Sequence, residues 1–161
     1  MERIEVDKQF MEMIRQNEGV IYKVASFYAD REQPLGDLYQ EIVLNLWKGF
    51  PSFRGDSRYS TWIYRIALNT CVSFYRKSQR RISYVDVSED VPETVTNNEQ
   101  LQELYNLINK LGKIERALVL LYLDDKSYKE IAEITDISVT NVATKLSRIK
   151  EKLKRMSVGN E

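Results

Sequence analysis

The stretch Ser127–Arg155, SYKEIAEITDISVTNVATKLSRIKEKLKR, carries two helical patterns with a short break between them. Ser127 is followed three residues later by Glu130, a capping box that predicts a helix start. Ile131, Ala132 and Ile134 supply the buried side of that helix, Thr135–Ile137 interrupt it, and Ser138 can cap the next one. On the second helix Val142, Leu146, Ile149 and Leu153 recur at helical spacing as one narrow apolar stripe. Opposite the stripe stand Thr140, Asn141, Thr144, Ser147 and Arg148, with Lys145 and Lys152 on the flank. Short polar side chains followed by bases, on the second helix of a tight helical pair, match a major-groove reader; a helical hairpin whose polar face is merely solvated fits the same residues. The short side chains allow close approach to base edges, and Lys145 and Arg148 can reach guanine or phosphate.

Upstream, Leu101, Leu104, Leu107, Ile108 and Leu111 keep helical spacing; Gly112 reads as a helix stop, and a further helix covers Ile114–Leu123. Between Arg81 and Asn98 the periodicity is lost, and ISYVDVSEDVPETVTNN reads as an acidic linker. Before it, apolar sets recur at helical spacing: Phe10, Met13 and Ile14; Val20, Ile21, Val24 and Ala25; Leu38, Ile42 and Leu46; Ile63, Ala67, Thr70 and Phe74. The expected fold is all-α: a helical domain over 1–81, a linker over 82–98 and a helix-turn-helix domain over 99–161.

Composition narrows the function classes. With 43% hydrophobic and 30% charged residues the chain is globular, and only 6 Gly and 3 Pro disfavour an all-β fold. No His is present and Cys71 stands alone, so the usual zinc sites and nucleophile–His pairs cannot be assembled. No metal and no cofactor is expected. The lone cysteine, the lack of an apolar leader and a longest apolar run of only ALVLLYL (117–123) point to a cytoplasmic protein. Net charge is zero, but it is unevenly spread: residues 54–81 hold 7 bases and 1 acid, residues 82–105 hold 6 acids and no base, and residues 106–161 hold 11 bases and 8 acids. The zero total thus conceals two basic blocks separated by an acidic one, an asymmetry that informs more than the total.

The first basic block reads FRGDSRYSTWIYRIALNTCVSFYRK over Phe53–Lys77. On a helix from Thr61 to Arg81, Ile63, Ala67, Thr70, Cys71 and Phe74 share the core side; Trp62, Arg65, Asn69, Ser73, Arg76 and Arg80 share the other. A Trp leading amide, hydroxyl and guanidinium groups fits nucleic acid, where aromatics stack on unpaired bases and Arg holds the backbone. The preceding Arg54, Asp56, Arg58, Tyr59 and Ser60, turning at Gly55, form a loop suited to a base rotated out of a duplex. A Trp packed in the core with snorkelling Arg fits the same residues equally well. In DLYQEIVLNLWK (37–48), Asp37, Gln40, Glu41, Asn45 and Lys48 share an exposed side with Leu44, an acidic and amide face with an apolar centre that can dock a partner helix; a solvated face with one stray Leu fits the same residues.

Taken together these pieces resemble the bacterial extracytoplasmic-function (ECF) sigma factors, the smallest sigma subunits of RNA polymerase. Val20–Arg81 resembles region 2, through DLYQE, FRGDSRYSTWIYRIALN and FYRK; Leu101–Arg155 resembles region 4, through SYKEIAEI and ISVTNV…LSRIK. Departures from the family's usual pattern are Ser73, Ala143 and the LGK turn at 111–113. The resemblance implies core RNA polymerase and promoter DNA as partners, with an anti-sigma factor as one the family commonly has. It assigns Asp37, Gln40, Glu41, Leu44 and Asn45 to the clamp helices of the β′ subunit. Arg54, Asp56, Arg58, Tyr59, Ser60, Trp62, Arg65, Asn69, Ser73, Arg76, Lys77 and Arg80 fall to the −10 element, its melting and the adjoining duplex. Thr140, Asn141, Thr144, Lys145, Ser147 and Arg148 fall to the −35 element. The implied activity is promoter recognition and melting for transcription initiation, without catalysis by the chain itself. A stand-alone regulator using only the helix-turn-helix would leave the Trp62 face and the DLYQE face without a role. A nuclease built on Asp124 and Asp125 would need more than two acids at a helix end.

Overall fold

In the computed structural model, residues 2–55, 58–82 and 99–159 are described, with side chains throughout except at 74–82, 101 and 159. Within these spans the chain is helical and falls into two units, Met1–Val91 and Pro92–Glu161. Of the linker expected at 82–98, Ile82 instead closes the last helix of the first unit, and 83–98 lie outside the described residues.

The first unit contains α1 (Glu2–Gln16), α2 (Glu18–Tyr28), α3 (Leu35–Gly49), a 3₁₀ turn (Phe50–Ser52) and α4 (Tyr59–Ile82). Asn17 separates α1 from α2, and its side-chain amide donates to the Met13 carbonyl at 2.8 Å, closing the C-terminal turn of α1. Asp30 and Gln33 bond to each other in the next loop, the Gln33 N–H donating to Asp30 Oδ1 at 2.7 Å, and Pro34 then enters α3 from an extended conformation. The core is made where α2, α3 and α4 meet: Ile21, Val24, Ala25, Ile42, Leu46, Ile63 and Ala67 are fully buried. Of the predicted stripes, Phe10, Met13, Ile14, Leu38, Thr70 and Cys71 are also buried, while Val20 is half-buried. Phe74 lies among the side chains that are not described. Tyr64 and Leu68 are buried as well, so the packed side of α4 is broader than the sequence pattern indicates. A helix that touches both α2 and α3 must bury more than one narrow stripe.

The second unit contains α5 (Glu99–Asn109), α6 (Lys113–Leu123), α7 (Tyr128–Thr135) and α8 (Val139–Gly159). Leu107, Ile108, Leu111, Leu118, Leu121, Ile131, Val142, Leu146 and Ile149 form its core, whereas Leu104 is exposed. Gly112 begins a helix instead of ending one. Its backbone N–H donates to Glu115 Oε1 at 3.1 Å, so Gly112 caps α6 and α5 has already stopped at Asn109. Glycine is tolerated at either helix end, and the carboxylate three residues on decides which end it serves here.

Candidate nucleic-acid interface

The helix-turn-helix forms as its caps predict. Ser127 Oγ accepts from the Glu130 N–H at 3.1 Å and the Ser127 N–H donates to Glu130 Oε1 at 3.3 Å, which fixes the start of α7. The turn lacks glycine, and Asp136 takes the left-handed conformation in its place, with φ 60° and ψ 39°. Aspartate is among the few residues other than glycine that visit this region readily. Ser138 Oγ then accepts from the Asn141 N–H at 3.1 Å and starts α8.

Val142, Leu146 and Ile149 seat α8 on its own unit, leaving Thr140, Asn141, Thr144, Lys145, Ser147 and Arg148 exposed together. Thr144 Oγ1 donates back to the Thr140 carbonyl at 3.0 Å. Toward the C-terminal half, bases are tied to α6. Lys152 Nζ lies 3.3 Å from Glu115 Oε1, and Lys150 Nζ sits 4.3 Å from the centre of the Tyr122 ring. The hydrogen bond with Tyr122 pushes the Lys150 amine above its ordinary value. These contacts brace α8 beyond its apolar stripe and leave Lys145 and Arg148 to the exposed face.

The corner at Phe53–Trp62 is assembled differently. The 3₁₀ turn at Phe50–Ser52 folds the chain back so that Phe50 and Phe53 meet the first turn of α4. The Phe53 ring lies 4.8 Å from Tyr59, stacked at 27°, and 5.0 Å from Trp62; Phe50 is 6.4 Å from Trp62. Trp62 is half-buried, and a Cβ on Gly49 would come within 3.3 Å of its Cζ2 atom. The ring that leads the exposed row in the sequence is therefore partly packed, and Tyr59, 44% exposed, is the aromatic open to solvent. Arg54, Arg58, Asn69 and Ser73 are exposed, while Ser60 and Arg65 are half-buried. Asp56 lies outside the described residues; Arg76, Lys77 and Arg80 lie on α4, but their side chains are not described.

On α3, Asp37, Gln40 and Leu44 are exposed and Glu41 is half-buried. Asn45 departs from this face: its amide donates to Thr70 Oγ1 on α4 at 2.8 Å. Trp47, 39% exposed and edge-on to Phe10 at 5.0 Å, adds an aromatic on α3 that sequence reasoning missed. Its position three residues beyond Leu44 was the available signal. Burial, and secondarily the charge of Glu18, raises the Tyr39 phenol above its ordinary value.

Residues 13–81 match the family described as Sigma-70 region 2, and residues 101–153 match Sigma-70, region 4. The ECF RNA polymerase sigma-E factor of Escherichia coli K12 is 34% identical over 150 residues, covering 81% of this chain and 78% of that protein. The chain belongs to the ECF sigma factors. The sigma-E factor of Haemophilus influenzae is 27% identical over 161 residues, covering 89% of this sigma factor and 85% of its own length. Among solved structures, the sigma factor RpoE of Bartonella quintana, crystallised with the anti-sigma factor NepR, matches with TM-score 0.73 at 19% identity, covering 96% of this chain and 99% of its own. CnrH in complex with the cytosolic domain of CnrY matches with TM-score 0.68 at 18% identity, covering 96% and 91%. At these identities the solved structures speak for the fold alone. Among the described residues, no helix is long and apolar enough to cross a membrane, and no cluster of three or more His, Cys, Asp or Glu is placed to hold a metal ion.

Proposed function

We propose that this chain binds core RNA polymerase in the cytoplasm, places α8 on the −35 duplex and uses the Phe53–Trp62 corner with α4 to hold melted −10 bases. The observation that carries this reading is the presence of two separate exposed polar and basic faces, one on each unit, each backed by a packed apolar side. A stand-alone duplex binder needs only the α8 face. The aromatic corner suits unpaired bases, because every base has a face that stacks.

Energetics assign each part its role. Extruding a base costs a few kcal/mol, and one aromatic stack returns about 1–3 kcal/mol. Stacking on Tyr59 therefore roughly balances extrusion, and net opening must draw on the polymerase contact. We assign that contact to Asp37, Gln40, Glu41 and Leu44 on α3, with Trp47 at its edge. Phosphate contacts from Arg54 and Arg58 add attraction that weakens with salt. At the other element, Asn141 and Arg148 can read base edges, while Lys145 holds the backbone. Bond making in RNA synthesis belongs to the polymerase in this reading. An anti-sigma partner would act by covering the α3 face or α8.

Transcription by core polymerase on a pool of genomic promoter fragments tests the proposal. Specific starts above the core-only background are expected, with shared sequence upstream of them at −10 and −35. Verified binding to active core without starts would leave a partner-binding protein. Tight duplex binding without polymerase, steeply salt-dependent, would instead favour a regulator that uses α8 alone.

A further inference from the structure

Asp37, Glu41 and Asn45 form one i, i+4 row along α3, and the last of them, half-buried, reaches across to α4. Its side-chain amide donates to Thr70 Oγ1 at 2.8 Å across 25 residues of sequence. The Thr70 hydroxyl donates in turn to the Ile66 carbonyl one turn earlier on α4, at 2.6 Å. With its proton committed there, Thr70 presents only lone pairs to Asn45, so the direction of both bonds is fixed. Thr70 is 4% exposed, and the surrounding contact of α3 with α4 is made by apolar side chains such as Ile42, Leu46, Ile63 and Ala67.

Apolar burial holds two helices together but is itself non-directional. A donor–acceptor pair is directional and weakens steeply when misaligned. Thr70 follows Asn69 on α4, so a rotation of α4 about its own axis would swing Trp62, Asn69 and Ser73 while loosening this bond. At a side-chain radius of about 5–6 Å, ten degrees of rotation moves a tip by about 1 Å, enough to disturb a positioned site.

We infer that Asn45 and Thr70 are positioning residues: they lock the rotation of the DNA-facing helix α4 against the polymerase-facing helix α3. The inference rests on the proposed initiation role. Polymerase bound along α3 thereby sets where the α4 side chains meet the opened strand. Loss of the bond leaves each face intact and misregisters one against the other.

The test uses the full chain with saturating core polymerase on a promoter that wild type opens, and reads both core affinity and the lifetime of competitor-resistant open complexes. Thr70→Val keeps the shape and removes the hydroxyl; Thr70→Ser keeps the hydroxyl and removes a methyl. Thr70→Val is expected to shorten the lifetime about three- to tenfold, the value of one such bond, with core affinity within about twofold of wild type. Thr70→Ser should stay within about twofold in lifetime despite its lost packing. Asn45→Ala should reproduce the lifetime loss, and adding Thr70→Val to it should cost little more. If Thr70→Val fails to fold, Asn45→Ala carries the test on its own. An unchanged lifetime overturns the inference, as does a Thr70→Ser loss equal to that of Thr70→Val, or fully additive losses. Absence of starts from wild type with active core overturns the initiation role and the inference with it; normal wild-type starts with an unaffected variant overturn the inference alone.

Discussion

In the first unit, the rings of the candidate −10 corner pack on one another and on the backbone of α3: Phe53 lies 4.8 Å from Tyr59 and 5.0 Å from Trp62, and Gly49 leaves room for the indole. In the second unit, Thr140, Asn141, Thr144, Lys145, Ser147 and Arg148 stand exposed on α8 while a separate stripe does the packing. One site shares its residues with the fold; the other is carried on top of it. The difference matches the tasks proposed for each. Holding a strained, unpaired base needs groups fixed in advance, whereas reading an intact groove needs side chains free to fit base edges. It also implies that substitutions of the packed rings at the first face should cost stability and activity together, and those in the second activity alone.

The largest effect is expected from Trp62→Ala. It should lower promoter-dependent starts about 10–100-fold, because Phe53 loses the ring that holds it beneath Tyr59 and the stack on Tyr59 is lost with the corner, and destabilise the first unit by about 2–3 kcal/mol, less than for a fully buried ring. Transcription assays paired with denaturant unfolding measure both, and a loss of starts at full stability would break the shared-residue picture. Arg148→Ala should reduce binding to a preferred −35 duplex by about 1–3 kcal/mol with an unchanged unfolding midpoint. Competition binding and thermal melting check this, and a clear drop in midpoint would erase the contrast between the faces. Asp136→Ala places a poorer residue in the left-handed turn and should cost about 1 kcal/mol, while Asp136→Gly should match or slightly exceed wild type in urea unfolding. The smallest effect belongs to Glu115→Gln, which breaks the half-exposed pair with Lys152 and should cost about 0.5 kcal/mol or less, fading in high salt.

The second unit was the more legible in sequence because its signals are local. Ser127, Glu130 and Ser138 announce helix starts through bonds that span three residues, and the structure contains each of those bonds. Gly112 was misread because glycine serves either end of a helix, and the Glu115 carboxylate settles the choice. In the first unit the core stripes were visible, but the environment of Trp62 was not. Phe50 and Phe53 reach it through a reversal of the chain after α3, which no helical period encodes. Asn45 shows the same limit. Beside Asp37 and Glu41 it reads as one more exposed polar residue, and only the packing of α3 on α4 brings Thr70 within 2.8 Å. Trp47 shows the limit from the other side: its place three residues after Leu44 put it beside the exposed face, and it is 39% exposed while edge-on to Phe10.

Cys71 offers a consequence of a practical kind. It is 2% exposed on α4, and the sequence holds no second cysteine. Thiol reagents should therefore label the native chain slowly, at the rate at which the first unit opens. The unaltered protein thus carries its own chemical clock for that opening. One cysteine added at an exposed position of α8 would react far sooner, placing a fluorophore on the second unit without any other change to the chain.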